Sequence, residues 1–295
     1  MKERVRRAIQ HLPTDRVPKG EISIDDAVVK RELECSSVGF EERLQFANKL
    51  ELDIVCVSPE VPASGKKLPE PCDVSWPGLE QWVLESGRFI FAILDGPFEW
   101  GIRIMGFNDF ITLPMRSAPS VVDFIEKVEK LNIELARHLI DNGVDGLIIA
   151  DDIAYQRGLL SSPETIKKYF LPSLASQVEK ISGKGLPVFF HSDGNFGEIV
   201  SDIVRIGFKG VHCIDPNSGM DISALKLQWG KRLCLWGNLS PDDLQKSHDP
   251  AYLQKVKSTI LSLASESGYI LGTTCGIFEG LDLEALSALY SSLQE

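Results

Sequence analysis

Eight short apolar runs, most of them followed by a helical pattern, constrain this chain more than any other feature. They lie near 18–24, 53–58, 89–94, 146–151, 187–192, 211–215, 233–238 and 269–274. Continuous apolar runs of this length, bounded by turn-forming residues, fit strands buried on both faces, as in a parallel sheet covered by helices. Residues 3–11, 40–50, 120–142, 196–206, 222–229, 250–266 and 282–293 repeat apolar side chains at helical spacing. Asp25-Asp26 and Ser162-Pro163-Glu164 read as further helix starts, with Ser162 as a cap and Pro163 in a first turn. Eight strands alternating with helices make an α/β chain of the (β/α)8 TIM-barrel type, and 295 residues is an ordinary size for one such domain. The competing open, doubly wound sheet lacks its G-x-G-x-x-G turn after the first strand. The expected organisation is one barrel domain over 1–295, with the proline-rich, aperiodic segment 60–79 as a lid or entrance loop.

Barrel enzymes take their catalytic side chains from the C-terminal ends of the strands, which converge at one mouth. Here those ends carry Asp95, Asp151, Asp152, His191, Asp193, His212, Asp215, Asn238 and Cys275. Each also has a plainer reading. His191 fits a core-edge histidine bonded to a carbonyl, Asp193 before Gly194 a turn former, and Cys275 a packed thiol. Asp151 and Asp152 suit helix caps. Strand alternation sends one of that pair away from the mouth and gives only one of His212 and Cys213 an inward place. The sharper set is His191, Asp193 and Cys275. His191 and Asp193 share parity, and nitrogen, oxygen and thiolate are all zinc ligands that would leave a fourth position open.

Charge and cysteine usage narrow the classes of function. A net charge of -11 argues against sequence-independent binding to nucleic acid or to an anionic membrane, since both need a basic face. The basic start, Met1 to Arg7, leads into Gln10-His11-Leu12-Pro13 rather than an apolar signal core, and no run reaches transmembrane length. A cytoplasmic protein with no membrane partner is expected. The six cysteines form no C-x-x-C pair, which suits reduced thiols.

Several blocks together carry a family resemblance: 150–158 (Ala-Asp-Asp-Ile-Ala-Tyr-Gln-Arg-Gly), Ser162-Pro163-Glu164, His191-Ser192-Asp193-Gly194-Asn195, Gly219-Met220-Asp221-Ile222, Trp236-Gly237-Asn238 and Cys275-Gly276-Ile277. Over 85–295 the chain resembles the uroporphyrinogen decarboxylase superfamily, and within it the corrinoid-dependent methyltransferases. That resemblance implies a (β/α)8 barrel, in agreement with the strand count. The decarboxylases of the family carry an N-terminal arginine-rich clamp for the substrate's carboxylates, which 19–31 lacks. A carboxy-lyase would have to assemble its basic pocket from Arg88, Arg103, Arg116 or Arg157. The zinc methyltransferases carry His-x-Cys and a later single Cys. His191 and Cys275 match the first and last ligand, while Asp193 stands at the middle cysteine. The exchange keeps the formal charge but trades a soft donor for a hard one, making the ion a stronger Lewis acid.

The resemblance thus implies zinc at His191, Asp193 and Cys275 and methyl transfer between a small substrate and the cobalt of a corrinoid. Asp151, Asp152, Tyr155 or Asn238 would orient the substrate or protonate the leaving group. The corrinoid would arrive on a separate protein, because the cobalt-ligating Asp-x-His-x-x-Gly motif does not occur here. The alternatives are a decarboxylase-like lyase and a non-catalytic barrel that binds a corrinoid or tetrapyrrole.

Overall fold

The computed structural model describes residues 1–62 and 66–293, so 63–65, inside the expected lid segment, lie outside the described residues. Eight parallel strands follow one another around the sheet in chain order. We number them β1 (Gly20–Glu21), β2 (Ile54–Val57), β3 (Phe89–Asp95), β4 (Gly146–Ala150), β5 (Val188–His191), β6 (Gly210–His212), β7 (Cys234–Leu239) and β8 (Tyr269–Thr273). A bridge between Lys19 and Leu271, with Leu271 N donating to Pro18 O at 2.9 Å, closes the ring. The fold is the (β/α)8 barrel that the alternation predicts.

The strands sit where the apolar runs place them, but two are shorter. β1 is reduced to two residues, and β6 stops at His212 because Cys213 takes a positive φ of 63° and leaves the ladder. Helices Lys2–Ile9, Phe40–Lys49, Ala118–Asp141, Ile222–Trp229, Pro250–Ser265 and Leu283–Ser291 agree with the periodicity to within a few residues, and Ser162 Oγ caps its helix by accepting from Thr165 N at 3.2 Å. Periodicity did not disclose helices Pro97–Met105 and Phe107–Arg116, nor the small hairpin pairing Ala154–Tyr155 with Gly158–Leu159.

Alternation along the strands divides the core in two. Ile90, Ala92 and Leu94 of β3 pack outward against the helices, whereas Phe89, Phe91 and Ile93 point into the barrel with Ile54, Ile148, Phe189, Trp236 and Ile270. This filling is dense. A Cβ on Gly210 would stand 2.2 Å from the Phe189 ring, so glycine there makes room for the aromatic layer. Val5, Ala8 and Ile9 of the first helix join the interior cluster and cover the N-terminal end. The barrel is therefore solid, and only its rims are free for chemistry.

Segment 60–79 has fastened ends. Glu60 and Ser75 exchange backbone hydrogen bonds of 2.7 and 3.1 Å, Val74 and Trp76 are buried, and Trp76 Nε1 donates to Ile93 O at 3.2 Å. Among the described residues, no helix is long and apolar enough to cross a membrane.

Candidate metal centre at the barrel mouth

The site grows from the inward row of β5. Phe189 fills the barrel, and two residues on, His191 reaches the mouth with the same parity. In register beside it on β6 is His212, whose Nδ1 lies 2.8 Å from His191 Nδ1. His212 has no exposed surface, and burial, followed by the neighbouring His191, drives its pKa well below the usual histidine range. With His212 neutral, its Nδ1 is suited to accept from His191 Nδ1–H, and in that tautomer His191 turns a lone pair on Nε2 toward the mouth. Two carboxylates meet it there. Asp152 Oδ1 and Asp193 Oδ1 each stand 3.9 Å from Nε2, too far for a hydrogen bond and close enough to share a third body.

Local structure holds these carboxylates in place. Asp193 N donates to Asp152 Oδ1 at 2.8 Å, joining the loop after β5 to the loop after β4. Ile153 N donates to Ser192 Oγ at 3.2 Å and Asn195 N to Tyr155 O at 2.9 Å, so the hairpin packs over the His191–Asn195 segment. Gly194 permits that contact. Its φ is +79°, and a Cβ would come within 2.6 Å of the Tyr155 backbone.

Among the described residues, Asp152, His191 and Asp193 form the group whose ligand atoms all lie within 4.8 Å of one another. Zinc bonds of about 2.1 Å in tetrahedral geometry need donors about 3.4 Å apart, so small movements of the Asp152 and Asp193 side chains toward His191 would close the set. Two carboxylates and a neutral imidazole also balance one divalent charge. The residues present therefore fit a cation of the zinc, iron or manganese kind.

Of the residues named from sequence, the structure brings His191, Asp193 and Asp152 together. Cys275 stands outside the set of three. The residue is exposed as a whole, but its Sγ, 3.7 Å from Gly276 O, is part-buried, and that burial, with Glu21, Asp193 and Asp215 adding, raises its pKa. Asp151 is fully buried, and its Oδ1 accepts from Phe98 N at 2.6 Å and Glu99 N at 3.2 Å, capping helix Pro97–Met105. Burial pushes its pKa well above the usual carboxylate range. Tyr155 is exposed on the hairpin, and Asn238 is half-buried on the inward row of β7. Asp215 accepts from Ser218 Oγ at 2.6 Å and Asn217 N at 2.9 Å, which makes it a turn former.

Three features escaped the sequence reading. Alternation offered an inward place to one of His212 and Cys213, yet both reach the site, because the positive φ at Cys213 breaks the alternation. The Cys213 thiol is buried near Asp193, and burial followed by the Asp193 charge raises its pKa strongly. Asp152 is a third member of the cluster, where sequence parity offered only a choice between it and Asp151. Glu99, in the first turn of helix Pro97–Met105, has its carboxyl pushed up to about 7 by burial, then by Asp152 and Asp95, with Asp193 adding to them and Arg103 opposing. The Gly-Pro pair that starts this helix directly after β3 was the available signal.

No basic pocket faces this mouth from the four arginines considered. Arg88 precedes β3 at the other end of the barrel, buried against Asn48 Oδ1 at 2.6 Å and Leu52 O at 3.0 Å. Arg103 pairs with Asp95 at 2.6 Å, Arg116 with Asp109 at 3.3 Å, and Arg157 is exposed in the hairpin turn.

Comparison with known proteins agrees with this architecture. The uroporphyrinogen decarboxylase (URO-D) family model matches residues 84–295. A curated uroporphyrinogen decarboxylase from Pelodictyon phaeoclathratiforme is 29% identical over 161 residues, which cover 53% of this chain and 43% of that protein. The match thus spans less than half of the relative's length. Among solved structures, a methyltransferase from Methanosarcina mazei superposes with a TM-score of 0.73 at 19% identity, over 99% of this chain and 97% of its own. A broad-specificity endoglucanase from an uncultured bacterium gives a TM-score of 0.54 at 10% identity, over 99% and 96% of the two chains. At such identities the likeness is one of fold, whereas the family match takes in β3 to β8 and every member of the cluster at the mouth. The chain belongs to the uroporphyrinogen decarboxylase family.

Proposed function

We propose that the protein is a metal-assisted methyltransferase that moves a methyl group between a small substrate and the cobalt of a corrinoid carried by a separate protein. One observation carries this reading: the mouth is acidic and arranged for a cation. Asp152 and Asp193 flank His191, Glu99 is close enough to feel Asp152, Asp95 and Asp193, and Arg103 is already paired with Asp95. A tetrapyrrole bearing many carboxylates would be repelled there, which favours methyl transfer over a decarboxylase-like lyase. The name of the Methanosarcina structure accords with it.

Asp152, His191 and Asp193 would hold the ion, zinc by its match to this donor set, with the Cys213 and Cys275 thiols beside it. Such an ion supplies Lewis acidity toward the heteroatom that gives or receives the methyl group. The chain's own residues do the rest. His212 fixes the ring and tautomer of His191, as the outer partner of a metal-bound histidine does. Glu99, protonated over part of the neutral range, can give a proton to a departing oxygen or nitrogen and recover it in the reverse direction. Tyr155, on the hairpin, and Asn238, near the end of β7, would orient the substrate. The corrinoid protein would dock over this rim.

The test is zinc stoichiometry in untagged protein, followed spectroscopically by methylation of free cob(I)alamin from methoxylated and methylthiolated donors. One zinc per chain, lost in both His191→Ala and Asp152→Asn, together with cobalamin methylation by the wild type, is the expected result. Well-folded wild-type protein that takes up no zinc would refute the metal-assisted reading. Zinc binding that survives Asp152→Asn but fails in Cys275→Ser would move the third ligand to Cys275.

A further inference from the structure

The far end of the barrel carries a second charged feature, independent of the mouth. A cavity of about 730 Å³ opens where the N-terminal ends of β3 to β7 meet the first helix. Its lining holds four cationic side chains, Arg6, Lys209, Lys231 and Arg232, and the imidazole of His11, against one acid, Asp145. In a chain of net charge -11, that concentration of positive charge needs a reason. The one acid is already satisfied, since Lys2 Nζ and Arg6 Nη2 hold its two oxygens at 2.8 and 2.7 Å. Among the described residues, Lys209, Lys231 and Arg232 make no ion pair.

His11 stands in the same wall. Its Nδ1 is buried, and its pKa is lowered by burial first and then by the charge of Lys226, with the Gly230 carbonyl opposing and Lys209 of the cavity lining adding to the fall. Phe89 and Pro187 give the cavity an apolar floor, and its volume is that of a small-molecule site. Lysine point charges beside an arginine fork suit phosphate oxygens. We propose that this N-terminal cavity binds a small polyanion of the phosphate-ester or pyrophosphate class, held by Lys209, Lys231 and Arg232.

The probe is inorganic pyrophosphate, titrated calorimetrically into the full chain at constant low ionic strength, with the His11 imidazole resonances followed by NMR. Saturable binding of one pyrophosphate per chain and a rise in the His11 pKa on saturation are the expected results. Affinity should fall at least about tenfold in Lys209→Ala/Lys231→Ala, because two charge-assisted contacts are removed. Asp193→Asn should bind as the wild type does, since it alters only the opposite rim. Absence of saturable binding, equal affinity in the double variant, or loss of binding in Asp193→Asn would each overturn the assignment, the last by placing the anion at the mouth. Lys209 and Lys231 are exposed, so the double variant is expected to fold, and its thermal transition checks this.

Discussion

Replacement of Glu21 by Gln should make stability at neutral pH greater and flatter. Glu21 lies on β1 with its carboxyl fully buried, and all its partners are neutral. Thr273 Oγ1 donates to it at 2.5 Å, Thr273 N at 3.2 Å, and the Tyr290 hydroxyl donates as well. Those donors favour the carboxylate, but burial outweighs them and lifts the pKa from 4.5 to about 7. A carboxyl whose pKa is raised by folding contributes its full stability below the unfolded value. That contribution is lost as pH rises from about 4.5 through about 7, where the unfolded chain gives up its proton first. At about 1.4 kcal/mol per pH unit the loss is about 3 kcal/mol by pH 8. Glutamine mimics the protonated acid, keeping an oxygen for Thr273 and offering an amide N–H to Tyr290. Urea denaturation of both proteins at pH 5, 6, 7 and 8 isolates the effect, because the other titrating groups cancel in the difference. The variant should be close to the wild type at pH 5 and gain about 3 kcal/mol on it by pH 8. A difference that stays constant across this range would refute the claim that Glu21 is held neutral by its burial.

Other perturbations test the site and its supports. Gly194→Ala places a Cβ against the Tyr155 backbone at positive φ and should cost about 1–3 kcal/mol in urea denaturation while weakening metal uptake, since His191 and Asp193 share that loop. His212→Phe preserves the bulk beside Trp236 but removes the acceptor for His191 Nδ1. Zinc affinity, measured by competition with a chromogenic chelator, should fall about ten- to a hundredfold although His212 does not touch the ion. Gly210→Ala drives a methyl into the Phe189 ring and should cost about 1–3 kcal/mol by thermal or urea denaturation, with no change in zinc stoichiometry.

Much of this molecule is legible in one dimension because its strands are buried on both faces. Such strands leave continuous apolar runs, and eight of them with helices between admit few architectures. The position of His191 was equally legible, since a polar residue that ends an apolar strand must lie at a rim. Helix Pro97–Met105 was not, because it follows β3 with almost no loop and its Gly-Pro start reads as a turn. The hairpin at 154–159 was missed for a related reason. Its strands are two residues long, too short for alternation to register, and tertiary contact with the His191–Asn195 loop holds them.

The sequence by itself determined the strand count, the barrel and the set of side chains at the strand ends, because hydrophobic period and strand parity are local properties. Which of those side chains meet was decided only by the tertiary structure. Asp151 and Asp152 are adjacent and chemically identical, yet one is buried on the helix-facing side, where it caps a helix, and the other faces His191. Cys213 comes near Asp193 at a positive-φ position that parity does not foresee, while Cys275 stays outside the three-membered set. The pKa values of Glu99 and Glu21 likewise depend on neighbours distant in sequence and on exclusion of water. These are properties of the folded assembly, because proximity and burial arise only when the barrel closes.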